Sequence, residues 1–432
     1  MMNNNLLETL YKQYQQHRVV TTDSRHVVAG ALFFALKGDN FDGNQYANQA
    51  LAQGAAIAIV DNPTYCTDTR CILVDNSLVT LQQLAQYHRQ KLNIPIVAVA
   101  GSNGKTTTKE LLKAVLSTTF VTHATAGNLN NHIGVPLTLL AMPSDTEIAV
   151  IEIGANHPNE ITELCQIAQP NCGLVTNIGK EHLEGFGDIE GVQKAEGELY
   201  DYLAQHNGLA FVNTDDSRVL QIAEQVPQKH PYTVQNNPAD TKISVDASGH
   251  FLVLQYEQHR LETQLIGQYN ASNVAAALVV GKHFGVSVAN AIQAIAAYIP
   301  QNKRSQVLQW QHNTVILDAY NANPSSMEAA LQSFAALQVS RKMVILGDMR
   351  EVGQWSLQEH QLIVDYLQTI ALEKIVLVGE EFAKTQFPAH FQHFSDPQLA
   401  RQWLHQSHLE GYHILLKASR GIALEQLLAE NL

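Results

Sequence analysis

The run Gly101-Ser102-Asn103-Gly104-Lys105-Thr106-Thr107-Thr108 combines residue types suited to holding a phosphate chain. Its glycines let backbone amides turn toward anionic oxygens, and a helix starting here would add the partial positive charge of its N-terminus. Lys105 would then reach the β- and γ-phosphates of a nucleotide, while the Thr106 hydroxyl would hold Mg²⁺. Val99 stands where the first glycine of the strict GxxxxGK[ST] pattern belongs. The loop is therefore a variant whose case rests on a strand before it and a helix after it. Two more residues follow strand-like runs. Glu152 lies near the end of 147–153, where it reads either as a Mg²⁺ ligand or as a solvated strand-end acid. His182 lies beyond 173–178; a lone histidine is more often structural, but this one follows a third strand edge in a row.

These groups need a scaffold that brings several strand ends together, and the patterning of the chain supplies one. Short apolar strands at 32–36, 56–60 and 72–74 alternate with helical stretches at 46–53 and 78–92. Asn93-Ile94-Pro95 leads into a strand at 94–100, followed by further runs at 147–153, 173–178 and 209–212. Each is apolar along its length and ends in a polar or glycine-containing loop, as in a parallel sheet covered on both faces. Around Pro300 the chain turns polar, and a third series begins with strands at 315–317, 343–346, 375–378 and 414–416. Helices are expected between them at 325–336 and 358–368. The fold class is thus α/β in three domains: a small N-terminal α/β domain (1–92), a central P-loop NTPase-like parallel-sheet domain (93–298) and a C-terminal Rossmann-like domain (299–432). A chain of 432 residues also exceeds what one core ordinarily serves.

A formal charge of -13 argues against a broad nucleic-acid surface, which needs a basic face. It does not exclude a phosphorylated small molecule held by loop amides and a few cations. Cys66, Cys71, Cys165 and Cys172 form no CxxC pair and no zinc spacing, and free thiols fit a reducing cytoplasm. The opening MMNNNLLETLYKQYQQ lacks the basic and apolar regions of a secretory leader, and no run of about 18 apolar residues appears. A cytoplasmic monomer without membrane insertion is expected.

Taken together, these motifs resemble the Mur ligase family of bacterial cell-wall synthesis. Gly101–Glu110 looks like its ATP loop, Asn128–Thr138 (NLNNHIGVPLT) resembles its next signature, and Glu152–His157 (EIGANH) and Asn177–Phe186 (NIGKEHLEGF) continue the match. Thr22-Asp23-Ser24-Arg25, the stretch Phe34–Asn44, Asp318–Met327 (DAYNANPSSM) and Leu346–Gly353 (LGDMREVG) with His360 are similar to the branch that adds D-alanyl-D-alanine to UDP-N-acetylmuramoyl-tripeptide. The resemblance implies an ATP- and Mg²⁺-dependent ligase with two metal sites. The tripeptide carboxylate would be activated as an acyl phosphate and attacked by the dipeptide amine.

It further implies roles residue by residue. Gly101, Ser102, Asn103, Gly104, Lys105, Thr106 and Thr107 would cradle ATP; Thr106 and Glu152 would hold the first Mg²⁺, and His182 the second. Asn273 would contact adenine, while Arg304 and Asp318 would reach the phosphates and ribose when the domains close. Ser24, Arg25 and Lys37 would face the uridine nucleotide. Asn130 and Asn131 would touch substrate, and Asn321 and Asn323 would face the dipeptide or the closed active site, although Asn323-Pro324 alone reads as turn chemistry. Lys105, His182, Glu196 and Arg304 form the expected catalytic set.

One departure matters. Most relatives carry a lysine fourteen residues after the histidine, whose carbamate faces the second Mg²⁺; here that position is Glu196. Lys194 is nearby, but two residues along a helix is a rotation of roughly 200°. Glu196 would supply its carboxylate directly, unless it is simply a solvated helical acid. Tyr269 and Asn44 also replace histidines common in relatives. Rival readings are a sister ligase adding one amino acid, a folate polyglutamyl ligase and a nucleotide-dependent switch. The motif from Asp318 to Met327 argues against the first two, and the third leaves Glu152, His182, Arg304 and Asp318 without a joint purpose.

Overall fold

The computed structural model describes residues 4–246, 251–301 and 303–429. Three main sheets follow one another along the chain. The first has four parallel strands in the spatial order Val20–Thr21, Leu32–Phe34, Ile57–Val60 and Cys71–Leu73. A small antiparallel hairpin, Lys37–Gly38 with Phe41–Asp42, stands beside it.

The second sheet has nine strands. Its parallel part centres on Ile96–Ala100, with Ile148–Glu152 and then Thr122–Ala124 on one side. On the other side come Cys172–Val175, Leu209–Asn213, Gln228–Thr233 and Thr241–Asp246. Ile96–Ala100 shows why this strand is apolar throughout. Ile96, Ala98 and Ala100 join one core cluster, while Val97 and Val99 join the cluster on the opposite face. Helices cover both faces, so alternate side chains both lose water, which contributes about 1.5–3 kcal/mol for each fully buried valine or isoleucine. Lys105–Leu116 and Ala271–His283 pack together on the face lined by Val97 and Val99.

This sheet differs from an all-parallel expectation at its far edge, where Thr241–Asp246, Val253–Tyr256 and His259–Glu262 pair antiparallel. In His259–Glu262 only Leu261 is buried, so there is no continuous apolar run to read. The third sheet is likewise mixed: Gln306–Trp310 pairs antiparallel with Asn313–Asp318. His413–Lys417, Lys342–Gly347, Lys374–Val378 and Gln392–Phe394 then follow in parallel. The large core cluster runs continuously from Leu10 and Tyr14 through the central sheet to Met327, Leu331 and Phe334 on the helix Pro324–Ala336. No helix among the described residues is long and apolar enough to cross a membrane.

Candidate active site

The phosphate loop leaves the strand Ile96–Ala100 and enters the helix Lys105–Leu116. Gly101 and Gly104 have φ of 117° and 82°, conformations that a side chain would strain. They also have no room for one. A Cβ on Gly104 would lie 2.6 Å from Asn273 Oδ1, and one on Gly101 would lie 2.6 Å from the Thr176 nitrogen. No side chain caps the helix at Gly104, which leaves its N-terminus available to an anion. The neighbouring strand end braces the loop: Ser102 N–H donates to Asn177 O at 2.9 Å, and Asn103 N–H to Asn177 Oδ1 at 3.1 Å.

Lys105 curls back over this loop. Its Nζ donates to Gly101 O and, at 3.3 Å, to both Ser102 O and Glu181 Oε2. Burial alone would lower the lysine pKa, but the carboxylates of Glu181, Glu196 and Glu152 outweigh it and raise the value. Glu196 is buried and accepts from Gly101 N–H at 2.6 Å, so it lies behind the loop rather than in solvent. Burial pushes both Glu181 and Glu196 upward. Lys105 opposes this for each, and the hydrogen bond between the two acids favours a proton on Glu181. On the other flank, Thr106 Oγ1 donates to Glu152 Oε1 at 3.1 Å, and Asn130 Nδ2 donates to the same oxygen at 2.9 Å. Glu152 Oε2 and Glu181 Oε1 are buried without a hydrogen-bond partner among the described residues.

The third sheet closes over these groups. Its residues Arg304, Asp318, Tyr320, Asn321, Lys417 and Arg420 line the same cavity as Lys105, Thr106, Glu152 and His182, a space of about 750 Å³. The Arg304 guanidinium stacks on the Tyr320 ring at 3.9 Å, with Arg420 5.6 Å from the same ring. Asp318 accepts from Ser305 N–H at 3.2 Å and pairs with buried Lys417. Ser325 Oγ accepts from Lys180 N–H at 2.8 Å, Lys180 Nζ reaches Glu359 at 2.6 Å, and His182 Nδ1 lies 2.6 Å from Glu351. Glu351 is held below the usual carboxylate range, mainly by that bond to His182.

Most of the expected residues therefore converge. Ser102 to Thr107, Asn130, Asn131, Glu152, His182, Asn273, Arg304, Asp318 and Asn321 all line the cavity, with Gly101 and Glu196 just behind it. Asn273 is engaged by Thr108 Oγ1–H at 3.1 Å and donates to Asn270 at 2.9 Å. Asn323 serves as turn chemistry and meets the phosphate loop. Its Oδ1 caps the helix Pro324–Ala336 through Ser326 N–H, and its Nδ2 donates to Asn103 Oδ1 at 2.9 Å. Its amide is engaged in joining two domains. Ser24, Arg25 and Lys37 are outside this cavity: Arg25 makes two 2.9 Å bonds to Asp23, and Lys37 lies 2.8 Å from Asp61. Glu181, Tyr320, Glu351, Lys417 and Arg420 are cavity residues to which the sequence pattern assigned no role.

Three family descriptions match successive parts of the chain. They are "Mur ligase family, catalytic domain" over residues 17–105, "Mur ligase middle domain" over 99–281 and "Mur ligase, glutamate ligase domain" over 303–420. The UDP-N-acetylmuramoyl-tripeptide–D-alanyl-D-alanine ligase of Bacillus subtilis (strain 168) is 33% identical over 432 residues, covering 97% of this chain and 94% of its own. The chain belongs to the Mur ligase family. The Escherichia coli (strain K12) ligase of the same name is 35% identical over 423 residues, 94% of this chain and 92% of that one. Among solved structures, MurF from Acinetobacter baumannii superposes with a TM-score of 0.85 at 30% identity, covering 97% and 98% of the two chains. The MurF ligase of Thermotoga maritima in complex with ADP also gives 0.85, at 26% identity over 95% and 96%. This Mur ligase is an ATP-dependent enzyme of peptidoglycan precursor synthesis. Its cavity joins an anion-binding loop to a set of acids and to cations from a different domain.

Proposed function

We propose that this Mur ligase joins D-alanyl-D-alanine to UDP-N-acetylmuramoyl-tripeptide, forming the UDP-muramyl pentapeptide in the cytoplasm as a monomer. The observation that carries the reading is the shared cavity, in which Lys105, His182 and Arg304 from separate parts of the chain face one space. The tripeptide carboxylate attacks the γ-phosphorus of ATP, and ADP leaves. The dipeptide amine then attacks the acyl carbon, and the tetrahedral intermediate collapses with phosphate departing. Lys105, Arg304 and the loop amides would stabilise the negative charge that accumulates during both steps. Apposed domains align the reactants and keep water from the acyl phosphate.

The residues present fit Mg²⁺. Two buried carboxylate oxygens, Glu152 Oε2 and Glu181 Oε1, have no partner among the described residues. Those residues include no cluster of three His, Cys, Asp or Glu able to hold a metal unaided. That suits an ion which takes one or two carboxylates and completes its shell with phosphate oxygens and water. Thr106 and Glu152 would hold one ion and His182 a second, with Glu196 adding negative charge behind the loop. Bound Mg²⁺ supplies charge neutralisation on the phosphates. Because Glu196 is itself a carboxylate, activity should not depend on added bicarbonate; a strong requirement in degassed buffer would remove this role.

The test is phosphate release from ATP with UDP-muramyl tripeptide and D-Ala-D-Ala, omitting each in turn. Release that needs both, with pentapeptide product, is expected. Release with the nucleotide peptide and a single amino acid would make the enzyme a different Mur ligase.

A further inference from the structure

We propose that Glu351, carried by the C-terminal domain, sets the ring tautomer of His182 and thereby completes a cation-binding nitrogen only when the domains are apposed. The inference rests on the reading of His182 as a ligand of the second Mg²⁺.

Glu351 Oε2 lies 2.6 Å from His182 Nδ1. An ionised carboxylate can only accept, so a proton shared at this contact belongs to Nδ1, and in the neutral ring Nε2 then keeps its lone pair. Nε2 faces Glu181 Oε2 at 3.8 Å, which is beyond hydrogen-bond distance. The other oxygen of that acid, Glu181 Oε1, is buried and unpartnered among the described residues. A ring nitrogen and a buried carboxyl group thus stand together without bonding each other. Metal-binding histidines characteristically donate their second ring N–H to a carboxylate, which fixes the tautomer and raises the basicity of the ligating nitrogen.

Here that carboxylate comes from another domain, and the contact is firmly built. His182 and Glu351 both have left-handed backbones, with φ of 43° and 63°, a conformation uncommon outside glycine and retained where the surroundings impose it. Glu351 O accepts from Glu184 N–H at 3.2 Å, and Trp355 Nε1–H donates to Gly187 O at 2.8 Å. Gly353, at φ 59°, passes so near that a Cβ there would lie 3.0 Å from Glu184 Cα. The segment from Glu351 to Trp355 therefore grips the turn that carries His182. Glu351 is a positioning residue, because it touches the imidazole and not the reacting atoms. Domain apposition then raises cation affinity, and the cation favours apposition by the same factor.

Mn²⁺ is the probe for the test. Full-length protein with ADP is titrated while free Mn²⁺ is read by electron paramagnetic resonance. Glu351→Ala should weaken one class of Mn²⁺ site by about 10- to 100-fold, and Glu351→Asp by less. His182→Gln should abolish that site. In metal-free, ¹⁵N-histidine-labelled protein, the His182 ring should be Nδ1-protonated in the wild type and shift toward the other tautomer in Glu351→Ala. Thermal melts identify folded variants, and Glu351→Leu, which likewise offers no acceptor, replaces Glu351→Ala if the latter does not fold. Unchanged Mn²⁺ binding and tautomer in the Glu351 variants, with the site lost in His182→Gln, would overturn the proposal while leaving the reading of His182 intact. Retention of every Mn²⁺ site in His182→Gln would remove that reading and the proposal with it.

Discussion

The phosphate end of the cavity and the proposed uridine-facing end of the N-terminal domain handle charge in opposite ways. Lys105 is largely buried, and its partners Gly101, Ser102 and Glu181 come from two separate chain segments. Arg25 is exposed and pairs with Asp23, two residues away; Lys37 is half exposed and pairs with Asp61. At Asp61, burial would raise the carboxyl pKa, but Lys37, Ser77 N–H and Asn44 together bring it below the ordinary value. The first arrangement is fixed before substrate arrives, which is what stabilising a developing charge requires. The second is a pair of exposed cations whose partners are single nearby carboxylates, so a ligand can compete for them with little rearrangement.

The largest effect should follow from breaking the fixed end. Lys105→Met should lower kcat by about 10³-fold, because it removes a preorganised cation from a water-poor site. ADP release with saturating substrates measures this. A loss confined to KM for ATP would mean that Lys105 only binds, and the contrast between the two ends would shrink.

A second substitution separates the loop from the domain that closes over it. A Cβ on Gly179 would lie 2.8 Å from Ser325 Oγ and 2.9 Å from its Cβ. Gly179→Ala should push the C-terminal domain outward and lower kcat/KM by about 10²-fold, the scale of an ångström-level misplacement. ADP binding to the central domain should persist, as calorimetry can measure. If kcat/KM is unaffected, apposition at this contact is unnecessary for turnover.

At the exchangeable end the effect should be smaller and confined to one substrate. Lys37→Met should raise KM for UDP-muramyl tripeptide by about 10-fold, the worth of one charged hydrogen bond, and leave KM for ATP alone. Equal changes in both constants would show that the N-terminal domain acts on the whole cavity.

The same contrast explains what the sequence made legible. Thr106, Glu152 and His182 stand at consecutive carboxyl edges of a parallel sheet, where ligands collect, so pattern alone could single them out. Glu181 could not be singled out this way. Its inward position depends on the left-handed turn at His182, which no periodicity announces. Glu351 matters through apposition of two domains, while Tyr320 and Arg420 meet only through the folding of the third domain, and no local spacing encodes either contact. The edge strand His259–Glu262 escaped for a simpler reason, since its mixed polar composition lacks the apolar run of a buried strand. Glu196 lies between these cases: its position suggested a role, and only the fold shows that it faces the loop.

The smallest expected effect concerns how the N-terminal helix Asn4–His17 is anchored. His88 is buried, with Nδ1 3.2 Å from Tyr11 OH and Nε2 3.3 Å from Tyr14 OH. Tyr14 O–H donates to Leu140 O at 2.7 Å, so its oxygen is left to accept from Nε2–H, and Tyr11 O–H can donate to Nδ1. A neutral ring satisfies every group. Burial, reinforced by the Arg18 charge, accordingly lowers the His88 pKa to about 4. An unfolded chain would protonate this histidine near 6.5, so above that pH the neutral ring costs nothing. Its contribution is lost as pH falls through about 4. Wild-type Tm should therefore fall more steeply between pH 6.5 and 4 than that of His88→Gln, with the two curves converging at the acid end. Parallel curves would mean that His88 is protonated as readily in the fold as outside it, and that the helix is held by its apolar face alone.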